Sequence, residues 1–257
     1  MTSLDHRLRG PAGAPVLVLS NSLGTTQELW ERQLPALTDH FRVLTYDHPG
    51  HGSSGLPGRP CTVESLTRSL VALLDELAFE RVSLCGVSLG GMVGMTLALE
   101  APERVERLVL TSTSAYLGPR AAWKERARTV RDEGMEAIAD AVVGRWFTPD
   151  FAREEPETVA RFRALLTAAA PEGYARCCEA IAAWDARERI SAITAPTLVI
   201  AGADDPATPV EHAELIASGI PGARAHVVEH AAHLANVERA VAFTSAALEH
   251  LGREVPV

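Results

Sequence analysis

Residues 81–100 read Arg81-Val-Ser-Leu-Cys-Gly-Val-Ser88-Leu-Gly-Gly-Met-Val-Gly94-Met-Thr-Leu-Ala-Leu-Glu100. The first six residues form a short apolar strand, and Gly90 to Glu100 reads as a helix. Gly86-Val-Ser88-Leu-Gly90 is the turn between them. A serine on a sharp strand-to-helix turn exposes its hydroxyl, and the flanking glycines give the backbone room to reverse. The helix N-terminus adds partial positive charge where an oxyanion would form. Ser88 is therefore the candidate nucleophile.

Outward from this turn, strand-like and helix-like segments alternate, the pattern of a mostly parallel sheet with helices on both faces. Val16–Ser20, Arg42–Tyr46, Arg107–Ser112, Thr197–Ala201 and Ala225–Val228 read as further strands, continuous Val/Leu/Ile runs of the kind that buried parallel strands carry. Residues 62–78 place Val63, Leu66, Leu70, Leu73, Leu74 and Leu77 on one helical face, with Thr62 as N-cap. The alternation stops between residues 115 and 190. That stretch reads as several helices punctuated by Gly134, Pro149, Pro156 and Pro171, a helical lid over the sheet's C-terminal edge. The expected organisation is a core of residues 1–114 and 191–257 with the lid, 115–190, inserted. The tail Gly252 to Val257 is expected to be loose.

A serine nucleophile needs a histidine, and the chain has nine. In this chain order, nucleophile then acid then histidine, the base belongs in the loop after the last strand. Glu229-His230-Ala-Ala-His233 offers two. His233 directly precedes the final helical sequence and is preferred, with His230 as the alternative. The acid belongs after the preceding strand, where Gly202-Ala-Asp204-Asp205-Pro206 offers Asp205, with Asp204 as the alternative. One oxyanion donor is the N–H of Leu89, and the second is the N–H of Leu23 in the loop Ser20-Asn-Ser-Leu-Gly-Thr-Thr26. Ser22 and Thr25 could add polar contacts. Asp47-His-Pro-Gly-His-Gly52 carries two histidines without cysteines or carboxylates at metal-ligand spacing, and reads as a structural turn.

The bulk numbers narrow the partners. A formal charge of −9 argues against nucleic acid and anionic membranes. No apolar run approaches the roughly 20 residues of a membrane span, and no secretory signal opens the chain. Cys61, Cys85, Cys177 and Cys178 lack metal spacing and read as free thiols of a reducing cytoplasm. Nothing calls for a metal or organic cofactor.

Taken together, these residues resemble the α/β-hydrolase superfamily and, within it, the 3-oxoadipate enol-lactonases. The closer resemblance rests on Leu19-Ser-Asn-Ser-Leu-Gly-Thr-Thr26, Cys85 to Gly94, Arg145-Trp-Phe-Thr148, Gly173-Tyr-Ala-Arg-Cys-Cys-Glu-Ala-Ile181 and Ala232-His-Leu-Ala-Asn-Val-Glu238. Where those enzymes usually have Asp-Thr-Arg-Gly-His-Gly, this chain has Asp47-His-Pro-Gly-His-Gly52. The resemblance implies a small anionic enol-lactone or ester as substrate. Its carboxylate arm needs cations, for which Lys124 and Arg145 are the candidates, with Trp123 and Trp146 lining the pocket. Other readings are a small-ester esterase, a hydrolase of carbon–carbon bonds, or a non-catalytic binding module of the same fold.

Overall fold

The computed structural model describes residues 3–56, 58 and 60–252. In chain order the first elements are β1 (His6–Arg9), β2 (Val16–Ser20), α1 (Leu34–Thr38), β3 (Arg42–Tyr46) and α2 (Val63–Glu76). They are followed by β4 (Val82–Val87), α3 (Leu89–Glu100) and β5 (Val105–Thr111). Five helices then intervene: α4 (Arg120–Glu133), α5 (Glu136–Trp146), α6 (Pro149–Glu154), α7 (Pro156–Thr167) and α8 (Pro171–Ala183). The chain returns with β6 (Thr197–Gly202), α9 (Val210–Gly219), β7 (Arg224–Val228), α10 (Ala235–Glu238) and α11 (Ala240–His250).

The seven strands form one mostly parallel sheet, ordered β1-β3-β2-β4-β5-β6-β7, with helices on both faces. Only β1 runs antiparallel, pairing His6–Arg9 with Tyr46–Val43. The chain builds the sheet outward from β2 in one direction, then from β4 in the other. The switch point between β2 and β4 is where such sheets open a crevice at their strand C-termini. The loops after both strands lie there.

Local chemistry explains the boundaries. Thr62 caps α2 through the N–H of Ser65, whose hydroxyl in turn accepts from Thr62 N–H, a reciprocal capping box. Pro149, Pro156 and Pro171 each sit in the first turn of one of the five inserted helices, where a missing N–H costs nothing. Gly134 closes α4 with φ of +82°. α3 is buried on every side from Leu89 to Ala98 because it packs directly on the sheet's centre.

Some strand readings need correction. β1 was not expected, because its polar His6-Arg-Leu-Arg9 becomes a strand only by pairing with β3. β4 lies one residue later than expected and β5 begins at Val105, two residues earlier, since pairing with neighbouring strands rather than apolarity sets the ends. Of the C-terminal tail, residues 253–257 lie outside the described residues.

Candidate active site

Ser88 sits between β4 and α3 with φ of +55° and ψ of −111°, a conformation a side chain rarely adopts. The turn is fixed from all sides. The Ser88 N–H donates to the Thr111 carbonyl at 2.8 Å, and the Ser88 carbonyl accepts from the Thr113 hydroxyl at 2.7 Å and from the Gly91 N–H at 2.9 Å. A Cβ at Gly86 would lie 2.3 Å from the Gly90 carbonyl oxygen, and one at Gly90 would lie 2.1 Å from that of Ser20. Both positions therefore require glycine. Leu89 opens α3, so its N–H has no carbonyl four residues back to accept it.

The loop after β2 faces this turn across the switch point. The Asn21 side chain donates to the Tyr46 carbonyl at 2.7 Å and accepts from the Trp30 indole at 2.9 Å. His48 Nε2–H donates to the Asn21 carbonyl at 2.9 Å, and His51 Nε2 accepts from the Gly24 N–H at 3.0 Å. The two histidines thus hold the loop that carries Leu23. Burial pushes the His48 imidazole down to about 3 and that of His51 down to about 4, so both stay neutral. Neutrality suits His51, because an imidazolium could not accept from Gly24.

His233 lies just before α10 and is 5 % exposed. Its Nδ1–H donates to Asp205 Oδ2 at 2.8 Å. Asp205 Oδ1 accepts from the Ala207 N–H at 2.8 Å and the Thr208 N–H at 3.0 Å, and Oδ2 from the Thr208 hydroxyl at 2.6 Å. Burial alone would raise this carboxyl, yet the charge and hydrogen bond of His233, with those from Thr208, hold it below the ordinary carboxylate value. Asp204 and His230, the alternatives, are both exposed.

Ser88 and His233 open into one cavity of about 250 Å³, with Ser22 and Leu23 on its wall. The inserted helices supply Trp123, Arg126, Arg145, Trp146 and Tyr174. Arg126 stacks on the Trp123 ring, its Cζ 4.5 Å from the centroid, and hydrogen-bonds the Tyr174 hydroxyl. Arg145 is half-buried; burial and then the Arg126 charge push its guanidinium below its ordinary value. Neither guanidinium pairs with a carboxylate among the described residues.

Two expected residues are not brought to this cavity. Lys124 is exposed, because the lining positions on and before α4 are Pro119, Ala122, Trp123 and Arg126, a helical face from which residue 124 turns away. Arg126 takes the place expected of it, and the i, i+3 spacing from Trp123 was the available signal. Thr25 is buried, and its hydroxyl donates to the Ser22 carbonyl at 2.9 Å, closing the loop instead of facing a ligand. Among the described residues no group of histidine, cysteine and carboxylate side chains could hold a metal ion.

A family model described as the alpha/beta hydrolase fold matches residues 15–240. The chain belongs to the alpha/beta hydrolase family. This hydrolase is 39% identical over 244 residues to 3-oxoadipate enol-lactonase 2 of Acinetobacter baylyi, covering 95% of this chain and 91% of that one. The crystal structure of the enol-lactonase from Burkholderia xenovorans LB400 matches with a TM-score of 0.96 at 43% identity, over 98% of this chain and 97% of that one. A thermophilic esterase from Thermogutta terrifontis, solved with malate bound, matches with a TM-score of 0.91 at 30% identity, over 98% and 93% of the two chains. No helix among the described residues of the hydrolase is long and apolar enough to cross a membrane.

Proposed function

We propose that this hydrolase opens the 3-oxoadipate enol lactone, a five-membered ring carrying an acetate arm, through a Ser88–His233–Asp205 triad and an acyl-enzyme. The coarser assignment, a carboxylic ester hydrolase, rests on the enol-lactonase relatives. The observation that carries the finer one is the pair Arg126 and Arg145 on the wall of the cavity that holds Ser88 and His233. Two part-buried cations with no carboxylate partner among the described residues favour an anionic ligand.

His233 Nε2 takes the Ser88 proton as the hydroxyl attacks the lactone carbonyl. The N–H groups of Leu89 and Leu23 receive the oxyanion. Asp205 holds the proton on His233 Nδ1 and stabilises the imidazolium without accepting that proton. Collapse of the tetrahedral intermediate breaks the ring C–O bond. The enol oxygen leaves more readily than an alkoxide, taking a proton from His233, and tautomerises to the ketone. Water activated by His233 then cleaves the Ser88 ester, giving the dicarboxylate product. Arg126 and Arg145 hold the acetate arm.

On this reading residues 115–190 act as a lid on a core of residues 1–114 and 191–257, and the four free, buried cysteines suit a reducing cytoplasm. The malate-bound esterase among the relatives favours, as a second reading, esters of other small carboxylates.

The test follows loss of the lactone's ultraviolet absorbance beside hydrolysis of an aryl acetate. Wild type is expected to turn over the lactone fast and the aryl acetate weakly. Arg145→Met and Arg126→Met should each raise the lactone KM about 10- to 100-fold, the worth of one charge-assisted hydrogen bond. Aryl-acetate constants should stay within about threefold, since that substrate brings no carboxylate for the arginines to bind. Aryl-acetate hydrolysis without lactone loss would discard the lactone and keep the esterase.

A further inference from the structure

We infer that Glu238 is a positioning residue whose carboxylate ties the His233 loop to the lid, so that the base and the lid residues facing the substrate are set as one piece. The inference rests on the Ser88–His233–Asp205 reading above.

Glu238 ends α10 and is only 6 % exposed. A buried carboxylate is costly unless its oxygens are filled. Both are filled here by N–H and hydroxyl donors, with no cation among the described residues beside them. Oε1 accepts from the Thr148 N–H at 2.9 Å and from the Thr148 hydroxyl at 2.5 Å. Oε2 accepts from the Ala232 N–H at 2.7 Å. One carboxylate thus bridges the residue before His233 and the residue at the start of α6 in the inserted helices.

A second bond completes the joint. The Leu234 N–H donates to the Trp146 carbonyl at 2.9 Å. Both peptide N–H groups flanking His233 are therefore committed to residues 146–148 or to the carboxylate that holds them. Arg145 and Trp146, immediately before that seat, line the cavity. Moving this segment would shift the anion-facing arginine and the imidazole together.

The opposite side of α10 is anchored without Glu238. Gln33 Nε2 donates to the Asn236 carbonyl at 2.6 Å, Arg32 donates to that of Val237 at 3.1 Å, and Asn236 Nδ2 donates to that of Leu29 at 3.1 Å. Those contacts keep the loop folded when the Glu238 bridge is cut, leaving its placement as what is lost. Glutamine cuts the bridge with little change of shape. Its amide has one acceptor oxygen, so its NH₂ must face either Ala232 N–H or the two donors of Thr148.

The experiment measures kcat and KM on the lactone and an aryl acetate for Glu238→Gln, Thr148→Val, Thr148→Ser and the double variant Glu238→Gln/Thr148→Val. Circular dichroism checks the fold, and a serine-reactive phosphonate counts competent sites. Glu238→Gln is expected to lower kcat on both substrates by about 10- to 100-fold, the scale of a misplaced catalytic group. It should also raise KM for the lactone but not for the aryl acetate. Thr148→Val should lose about tenfold in kcat, Thr148→Ser should restore it, and the double variant should be no worse than Glu238→Gln alone. Wild-type kcat and KM in folded Glu238→Gln would overturn the inference. So would a loss of rate matched by an equal loss of phosphonate-reactive sites, which marks simple unfolding. If the lactone is not a substrate, the aryl acetate still reads the joint, so failure of the substrate assignment stays separable.

Discussion

Replacing Ser88 by alanine is expected to lower kcat on every ester or lactone substrate by about 10⁵- to 10⁶-fold, on the scale of a lost triad nucleophile. The reason lies in how the turn is built. Alanine keeps the backbone bonds to Thr111, Thr113 and Gly91, the glycine contacts and the Leu89 amide, so the fold and the proposed oxyanion donors survive. Only the attacking oxygen is gone. A residual rate of roughly 10³-fold over water should remain from the donors and binding alone. Initial rates on the lactone, with phosphonate labelling of wild type and variant, measure it. Retention of more than a hundredth of the wild-type rate would place the nucleophile elsewhere.

Asp205→Asn should cost about 10⁴-fold in kcat with an intact fold, the loss that follows a wrong histidine tautomer. Asp205 accepts four hydrogen bonds, two backbone N–H groups on Oδ1, and the Thr208 hydroxyl and His233 Nδ1–H on Oδ2. Asparagine has one oxygen to offer. The two fixed N–H groups of Ala207 and Thr208 claim it, which turns the NH₂ toward His233. Nδ1 must then accept, the proton moves to Nε2, and Nε2 can no longer take the proton of Ser88. Nitrogen-15 NMR of the imidazole would show the tautomer change alongside the rate loss. An Asp205→Asn enzyme within tenfold of wild type would rule out this role. The folded Asp205 carboxyl lies below its ordinary value. Its contribution to stability is therefore complete above the unfolded value and lost as pH falls through the folded one.

The parts of the site that could be read in the sequence are those coded over a few residues. Gly86-Val-Ser88-Leu-Gly90 needs only its own strand, turn and helix to be recognised. Asp205 and His233 needed the further fact that each follows a buried strand, β6 and β7. What the sequence hid depends on phase or on distant pairing. Lys124 and Arg126 differ by two residues, a rotation of about 200° around α4, and only the second faces the cavity. Thr25 turns inward, its N–H and its hydroxyl both donating to the Ser22 carbonyl, a closure of the loop that shows only in the folded chain. β1 exists only beside β3, some 35 to 40 residues away. Glu238 stood in a stretch already singled out by resemblance, but its partners Thr148 and Ala232 are joined to it only in the folded chain.

The backbone of Ser88, at φ of +55°, sets endurance against turnover. Holding a side chain in so sparsely populated a conformation costs about 1–3 kcal/mol, and alanine inherits that cost while glycine does not. Ser88→Gly is therefore expected to be inert and yet to melt higher. About 0.4–1 kcal/mol is returned through the looser unfolded chain, and the rest is worth about 2–4 °C per kcal/mol in a chain of this size. Scanning calorimetry reads the difference. A breeding scheme that rewards heat resistance alone would thus find a dead enzyme among its winners, so variants of this hydrolase have to be scored for survival and for rate in the same round.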